Sequence, residues 1–208
     1  MAKQVEEWEQ CNTQVFWGEI APCNHLVQIY ESDDVVLSAL EGFVTSGFRT
    51  GESVIIIASQ EHLEALNIRF ELSKVNLQAF VNNDQYIPLN VKDVLAKIMV
   101  NNWPDETLFA ETVRTIVTKA RGNSNRPVRA YGEMVAILWG QGHKGATVQL
   151  EHLWNKFCET EIFCLFCAYP KSGFTQSAGD SIRHICSSHS KVIAGDVQSI
   201  TEVFYKSA

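Results

Sequence analysis

Ser53-Val-Ile-Ile-Ile-Ala58 is the stretch that decides the fold: six uncharged residues, four of them β-branched. A continuous apolar run of this kind, without polar alternation, is typical of a strand buried on both faces of a parallel sheet. Two further runs fit the same reading, His25-Leu-Val-Gln-Ile-Tyr30 and the segment from Glu161 to Tyr169, which Pro170 ends. The sequence therefore predicts at least three buried strands, well separated along the chain.

Segments with helical spacing lie between these runs. Ser32 and Asp33 can cap a helix that carries Val36, Leu37, Leu40, Phe43 and Val44 on one face. The other predicted helices lie near 60–73, 91–101, 104–120 (with Pro104 in its first turn) and 146–159. A weak strand lies near 85–90, and a strand over 128–134 leads into a short helix through Trp139. Two amphipathic segments, near 176–192 and 196–206, close the chain. Alternating strands and helices predict a three-layer α/β fold, a mostly parallel sheet with helices on both faces.

Length and charge limit the classes of function. The 208 residues suit one domain over 25–208, preceded by an N-terminal arm over 1–24 whose aromatic side chains would dock on the domain or on a second subunit. The net charge is −7 and the 17 Lys and Arg are scattered, so we expect no nucleic-acid surface. We find no 18-residue apolar window and no signal peptide, and we expect a cytoplasmic protein with no membrane contact and with reduced cysteines.

Motifs for cofactor or metal chemistry are weak. No P-loop pattern follows the strand over 53–58, where Gln60 and Glu61 stand instead, so NTP hydrolysis by that route is not expected. Gly140 to Gly145 matches G-x-G-x-x-G, but so far along the chain a turn between two helices is the better interpretation. Cys164 and Cys167, three apart on a strand, should point to opposite faces and act as buried thiols. We therefore expect no cofactor, no metal and no catalytic residue.

Val128-Arg-Ala-Tyr-Gly-Glu-Met134 is the most informative polar segment. It places Arg129, Tyr131 and Glu133 on or beside an apolar strand, which we expect near the carboxyl end of the sheet, where open α/β folds bind ligands. Buried charges need partners, so a structural ion pair between Arg129 and Glu133 is the alternative interpretation. Both interpretations stay open at this point.

Together these segments resemble the MEDS family, the methanogen/methylotroph DcmR sensory domain. The resemblance runs from about His25 to Pro170. It is carried by His25–Tyr30, Phe43…Gly47…Gly51-Glu52, Trp103-Pro104-Asp105, Val128–Met134 with Leu138-Trp139, Leu150-Glu-His-Leu-Trp-Asn155 and Cys167-Ala-Tyr-Pro170. It implies a fold related to RecA-like and KaiC-like domains without their P-loop. It also implies a sensory role in prokaryotic signalling. Members of the family are usually attached to histidine kinases or DNA-binding regulators and are proposed to sense small hydrocarbon derivatives.

We expect the chain to be a stand-alone sensory domain, because it carries no kinase or helix-turn-helix segment of its own. A small, largely apolar ligand would bind at the carboxyl edge of the sheet, and the signal would pass to a separate histidine kinase or transcription regulator. The expected contact residues are Tyr30, Arg129, Tyr131, Glu133, Trp139 and Tyr169. A ligand-free interaction module is the alternative and an enzyme is the third hypothesis. The sheet edges and the tryptophans of the arm are compatible with a homodimer.

Overall fold

The structure is a computed structural model that describes residues 8–11, 17, 24–173, 185–187, 189–194 and 202–206. Eight strands of this part of the chain form one sheet, in the order β1-β10-β9-β2-β8-β7-β3-β4, and two form a separate hairpin, β5-β6. The strands are β1 (Trp8–Cys11), β2 (His25–Tyr30), β3 (Ser53–Ala58), β4 (Tyr86–Asn90), β5 (Met99–Val100), β6 (Trp103–Pro104), β7 (Val128–Gly132), β8 (Cys164–Pro170), β9 (Lys191–Ala194) and β10 (Glu202–Lys206).

The six strands from β9 to β4 in this order are all parallel to one another. β10 then adds antiparallel to β9, and β1 antiparallel to β10. The mostly parallel sheet is the predicted one. At the far edge, the structure forms strands where the sequence indicated only amphipathic segments, and part of the predicted N-terminal arm supplies the outermost strand.

Central strands are buried along their whole length, which confirms the reading of the apolar runs. All six residues of β3 and all five residues of β7 are buried. These strands lie side by side, with Ser53 opposite Val128 and Ile57 opposite Gly132. The carboxyl ends of β3 and β7 therefore meet at one point of the same sheet edge.

Three helices cover one face of the sheet: α1 (Asp33–Arg49), α2 (Gln60–Leu72) and α3 (Leu77–Asn82). They connect β2 to β3 and β3 to β4. Their apolar side chains pack on Leu26, Val54, Ile56, Tyr131 and Phe166 of the strands. The ring of Trp17, from the predicted arm, also docks on this face, with its centroid 5.6 Å from that of Phe43 and 5.3 Å from that of Phe166.

Four helices cover the opposite face: α4 (Val91–Ile98), α5 (Glu106–Arg121), α6 (Met134–Gly140) and α7 (Lys144–Thr160). They connect β4 to β7 and β7 to β8, and they pack on strand residues such as Ile55, Ala130 and Leu165. The Gly140–Gly145 segment is the turn between α6 and α7, as predicted. No helix in the described residues is both long enough and apolar enough to cross a bilayer.

The secondary structure of the segment before α5 differs from the prediction. Pro104 does not lie in the first turn of this helix but in β6, which pairs with β5 so that Met99 is opposite Pro104. Asp105 is the residue that begins the helix, because its side chain accepts a hydrogen bond from the Leu108 amide at 2.9 Å. The two-stranded hairpin thus replaces the break expected from the sequence.

Candidate functional site

Glu133 lies at the point of the sheet edge where ligands collect in open α/β folds. It follows β7 directly, and its amide donates to the Ile57 carbonyl of β3 at 2.9 Å. β7 continues into α6 on one face of the sheet, whereas the neighbouring β3 continues into α2 on the other. Neighbouring strands whose connections leave to opposite faces open a crevice between them at their carboxyl ends.

The Glu133 carboxylate is buried, with 4% of the residue exposed, and the protein supplies three hydrogen-bond donors to it. Oε2 accepts from the amide of Ser59 at 2.8 Å. Oε1 accepts from the hydroxyl of Tyr131 at 2.9 Å and from Nδ1 of His62 at 2.5 Å. These bonds compensate the loss of hydration that a buried carboxylate would otherwise suffer.

His62 links this buried carboxylate to the surface. It lies in the first turn of α2, and its Nε2 is 3.5 Å from Oδ1 of Asp33, the first residue of α1. The side chain of Asp33 is 76% exposed, compared with 12% for His62. The hydrogen bond with Glu133 raises the pKa of His62 above its ordinary value, more than desolvation lowers it, and the charges of Glu133 and Asp33 act in the same direction.

Two tyrosines complete the site. Tyr131 on β7 is fully buried, and burial followed by the charge of Glu133 raises the pKa of its hydroxyl well above the ordinary value. Tyr30 ends β2, and its pKa is raised by burial and then by the charges of Glu133 and Asp33. Both phenols therefore stay protonated, and the Tyr131 hydroxyl donates to Glu133. We call Tyr30, Asp33, His62, Tyr131 and Glu133 the carboxyl-edge cluster.

Arg129 lies at the opposite edge of the sheet, so its expected position near the carboxyl end is wrong. It is the second residue of β7 and pairs with Val54 and Cys164 near the starts of their strands. Its guanidinium forms an ion pair with Glu52 and donates to the Phe43 carbonyl at 3.0 Å. Four residues of extended chain span about 13 Å, so the alternative of an Arg129–Glu133 ion pair also does not hold, and Glu52 takes that place.

Trp139 and Tyr169 belong to the other face of the sheet. Nε1 of Trp139 in α6 donates to the Gly173 carbonyl at 2.7 Å, and the Tyr169 hydroxyl on β8 donates to Oε1 of Glu151 in α7. Of the six residues expected to contact a ligand, the structure brings together Tyr30, Tyr131 and Glu133. His62 and Asp33 were missed by the sequence analysis, although they stand four residues after β3 and three residues after β2, near the carboxyl ends of predicted strands, where ligand-binding residues are common.

A second polar group lies deep under α7, and we call it the His–Cys–Glu cluster: His25, Glu151, Cys167 and His189. All four residues are buried, and one potential ligand atom from each lies within 4.8 Å of the others. Burial, followed by the neighbouring His189, lowers the pKa of His25 to about 3, against the effect of Glu151. His, Cys and Glu are ligands for metal ions.

Sequence spacing could not reveal this cluster, because its members come from β2, α7, β8 and the segment before β9. The local prediction for the two cysteines is nevertheless correct: Cys164 packs in the core under α1 to α3, and Cys167 in the core under α4 to α7.

Comparison with known proteins completes the description of the site. A comparison with curated proteins gives no match. The family model described as the methanogen/methylotroph, DcmR sensory domain matches residues 24–190, which include both clusters. This match covers about four fifths of the 208 residues. The chain therefore belongs to the MEDS family of sensory domains.

Proposed function

We propose that the chain is a sensory domain that binds a small organic ligand at the carboxyl-edge cluster and passes the signal to a partner protein. The observation that carries this proposal is the position of Glu133, at the switch point between β7 and β3. Membership of a family of sensory domains supports the sensory role. The class of the ligand, its binding site and the transfer of the signal to a partner protein are the parts that we add.

The ligand class follows from the side chains around the edge. Tyr30, Tyr131 and Glu133 are at most 7% exposed and stand among apolar residues of the core under α1 to α3. Such surroundings favour a small, largely apolar molecule, in keeping with a hydrocarbon derivative. One polar group, a hydroxyl or a carbonyl, would find donors in the Tyr30 hydroxyl and in the imidazole of His62.

Signal transmission would run through α1 and α2. His62 in α2 and Asp33 in α1 both bond at the cluster, so a ligand that competes for His62 changes how these two helices are held on the sheet. Arg69 of α2 joins the helices further along, with Nη2 2.5 Å from Asp34 and Nη1 3.5 Å from Glu41. The helices would then move as a pair. A partner that prefers one position of the pair would read the signal.

Binding is favoured over catalysis by the way in which Glu133 is used. A general base needs a free lone pair and a path to the proton that it removes. Glu133 accepts bonds from Ser59, His62 and Tyr131, which take three of the roughly four acceptor positions of its carboxylate and fix its orientation, and the residue is only 4% exposed. We therefore assign it a positioning role and propose no reaction.

A thermal-shift screen tests the proposal. Millimolar short-chain alcohols, ketones, carboxylates and amines would be tested on the wild-type chain, on Glu133→Gln and on Tyr86→Phe. A compound present at about 100 times its Kd should raise Tm by about 5–10 °C. We expect this shift in the wild type and in Tyr86→Phe, a change in the same core away from the cluster. The ligand proposal fails if no compound shifts the wild type, or if Glu133→Gln responds equally.

An interaction module that needs no ligand is the second candidate, and the β5–β6 hairpin favours it. Val100 and Trp103 are paired across the hairpin and are 46% and 50% exposed. Exposed aromatic and aliphatic pairs of this kind occur at binding surfaces for proteins. Under this hypothesis a histidine kinase or a transcription regulator binds the wild type and Glu133→Gln equally well but loses affinity for Trp103→Ser.

A further inference from the structure

Four potential metal ligands, distant in the sequence, surround one point in the core: the His–Cys–Glu cluster. Nε2 of His25 is 3.4 Å from Sγ of Cys167 and 4.0 Å from Oε2 of Glu151. Nε2 of His189 is 3.7 Å from the same carboxylate oxygen. In a tetrahedral zinc site with bonds of about 2.0–2.3 Å, neighbouring ligand atoms are about 3.3–3.8 Å apart. Two of the three separations fall in this range, and all four ligand atoms lie within 4.8 Å of one another, so small side-chain shifts would close the shell around an ion.

Both imidazoles are oriented by hydrogen bonds at their other nitrogen. Nδ1 of His189 lies 2.7 Å from the Ile185 carbonyl, which can only accept, so Nδ1 carries the proton and Nε2 presents its lone pair to the cluster. Nδ1 of His25 lies 2.8 Å from Oδ1 of Asn155 and is held in the same way. Such outer hydrogen bonds fix the tautomer and the ring plane of metal-binding histidines.

The carboxylate ligand has an outer partner as well, since the Tyr169 hydroxyl donates to Oε1 of Glu151, whereas Oε2 is the oxygen close to His25 and His189. A hydroxyl donor at one oxygen holds a ligating carboxylate in place in the same way.

Donor chemistry and charge indicate which ion fits. Two neutral imidazoles, one thiolate and one carboxylate carry a total charge of −2, which a divalent cation cancels in a site shielded from water. Mixed nitrogen and sulfur donors in fourfold arrangement suit Zn²⁺, whereas Mg²⁺ and Ca²⁺ require oxygen ligands. We propose that His25, Glu151, Cys167 and His189 bind a zinc ion in the core of this domain.

The role of such an ion would be structural. Four protein ligands fill a tetrahedral shell and leave no position for a substrate. The ligands belong to β2, α7, β8 and the segment that precedes β9, so the ion would fasten this segment to the sheet. A backbone hydrogen bond already joins this segment to β2, since the Ser190 amide donates to the His25 carbonyl at 2.7 Å. Zinc would add a cross-link that the unfolded chain lacks.

Elemental analysis of the purified chain tests this proposal. Protein produced in zinc-supplemented medium and dialysed without chelator should contain about one zinc per chain. Cys167→Ser and His189→Gln should lower the zinc content at least about tenfold. The matched control is Cys164→Ser, a buried cysteine on the same strand whose side chain packs on the other face. This control should keep the wild-type zinc content.

Cobalt substitution gives a second readout that does not depend on how well a variant accumulates. After removal of zinc, Co²⁺ should produce a thiolate-to-cobalt charge-transfer band in the wild type and in Cys164→Ser, but not in Cys167→Ser. Circular dichroism establishes that each variant is folded. Wild-type protein without stoichiometric zinc and without a cobalt band overturns the proposal, as does an unchanged band in Cys167→Ser. Stoichiometric iron or copper in place of zinc overturns the choice of ion.

Discussion

Replacing Tyr131 by phenylalanine tests whether the Glu133 carboxylate depends on the donors that the structure assigns to it. The change removes one hydroxyl from a residue with 0% exposure and leaves the ring in place. The lost hydrogen bond, 2.9 Å long, ends on a buried charged group, a kind of bond that contributes about 1.5–3 kcal/mol. Glu133 keeps two donors, from Ser59 and His62, so we expect the free energy of unfolding to fall by about 2 kcal/mol.

Tyr86→Phe is the matched control for this prediction. Tyr86 is 2% exposed and belongs to the same core, but its hydroxyl has no hydrogen-bond partner among the described residues. Removing that hydroxyl should leave the free energy of unfolding unchanged within about 0.5 kcal/mol or increase it.

Urea denaturation followed by tryptophan fluorescence gives both values. With a slope of about 3 kcal/mol per molar urea, the midpoint of Tyr131→Phe should fall by about 0.7 M. Equal midpoints for Tyr131→Phe and Tyr86→Phe would refute the reasoning, because the hydrogen bond that the Tyr131 hydroxyl makes to Glu133 would then have no energetic consequence.

Two further predictions concern pH and backbone packing. The folded pKa of His62 is raised above its ordinary value of 6.5, so its contribution to stability is fully present below pH 6.5 and is lost as the pH rises through the folded pKa. Urea midpoints measured from pH 6 to 9 should therefore fall in the wild type more than in His62→Gln, and parallel curves would contradict this. A Cβ at Gly47 would lie 2.7 Å from Val54 and 2.9 Å from Arg129, so Gly47→Ala should lower the free energy of unfolding by about 1–2 kcal/mol in the same assay. Gly140→Ala, where nothing lies within 4 Å, should leave it unchanged or raise it by about 0.5 kcal/mol; equal effects at both glycines would contradict the close packing.

The central strands were predictable because burial on both faces leaves a strong pattern. Ser53–Ala58 and the segment around Cys164–Pro170 are apolar throughout, and the structure buries nearly every residue in them. At the far edge, the apolar runs of β9 and β10, Val192–Ala194 and Val203–Tyr205, are only three residues long and lie between charged residues, so the sequence carries no such signal there. The sequence could therefore predict the sheet and the parallel orientation of its central strands, but not the strands β9, β10 and β1 that extend it at one edge.

The candidate site was predictable only in part. Glu133 follows a buried strand and was placed correctly at the carboxyl edge. Arg129 was misplaced although the predicted strand already began at Val128: the second residue of a strand lies near its amino end, so the position of Arg129 followed from the predicted bounds. The partners of both residues depend on which strands are neighbours. This order is set by tertiary packing, and no local pattern encodes it.

The His–Cys–Glu cluster shows the same dependence more strongly. His25 and Cys167 face each other because β2 and β8 pair in parallel with Val27 opposite Cys167. The two residues are 142 positions apart in the sequence. Spacing rules for metal sites require ligands in local pairs, so they cannot detect a site built from four separate elements.

Native mass spectrometry of freshly purified chain tests the central claim, ligand binding at the carboxyl-edge cluster, most directly. Wild type, Tyr30→Phe, Glu133→Gln and Tyr86→Phe would be compared after production in the same cells, and any mass due to a metal would be identified by its loss on chelation. The account predicts an additional small organic molecule on the wild type and on Tyr86→Phe, with clear depletion in the other two variants. No retained organic mass on any protein, or equal retention by all four, would contradict it.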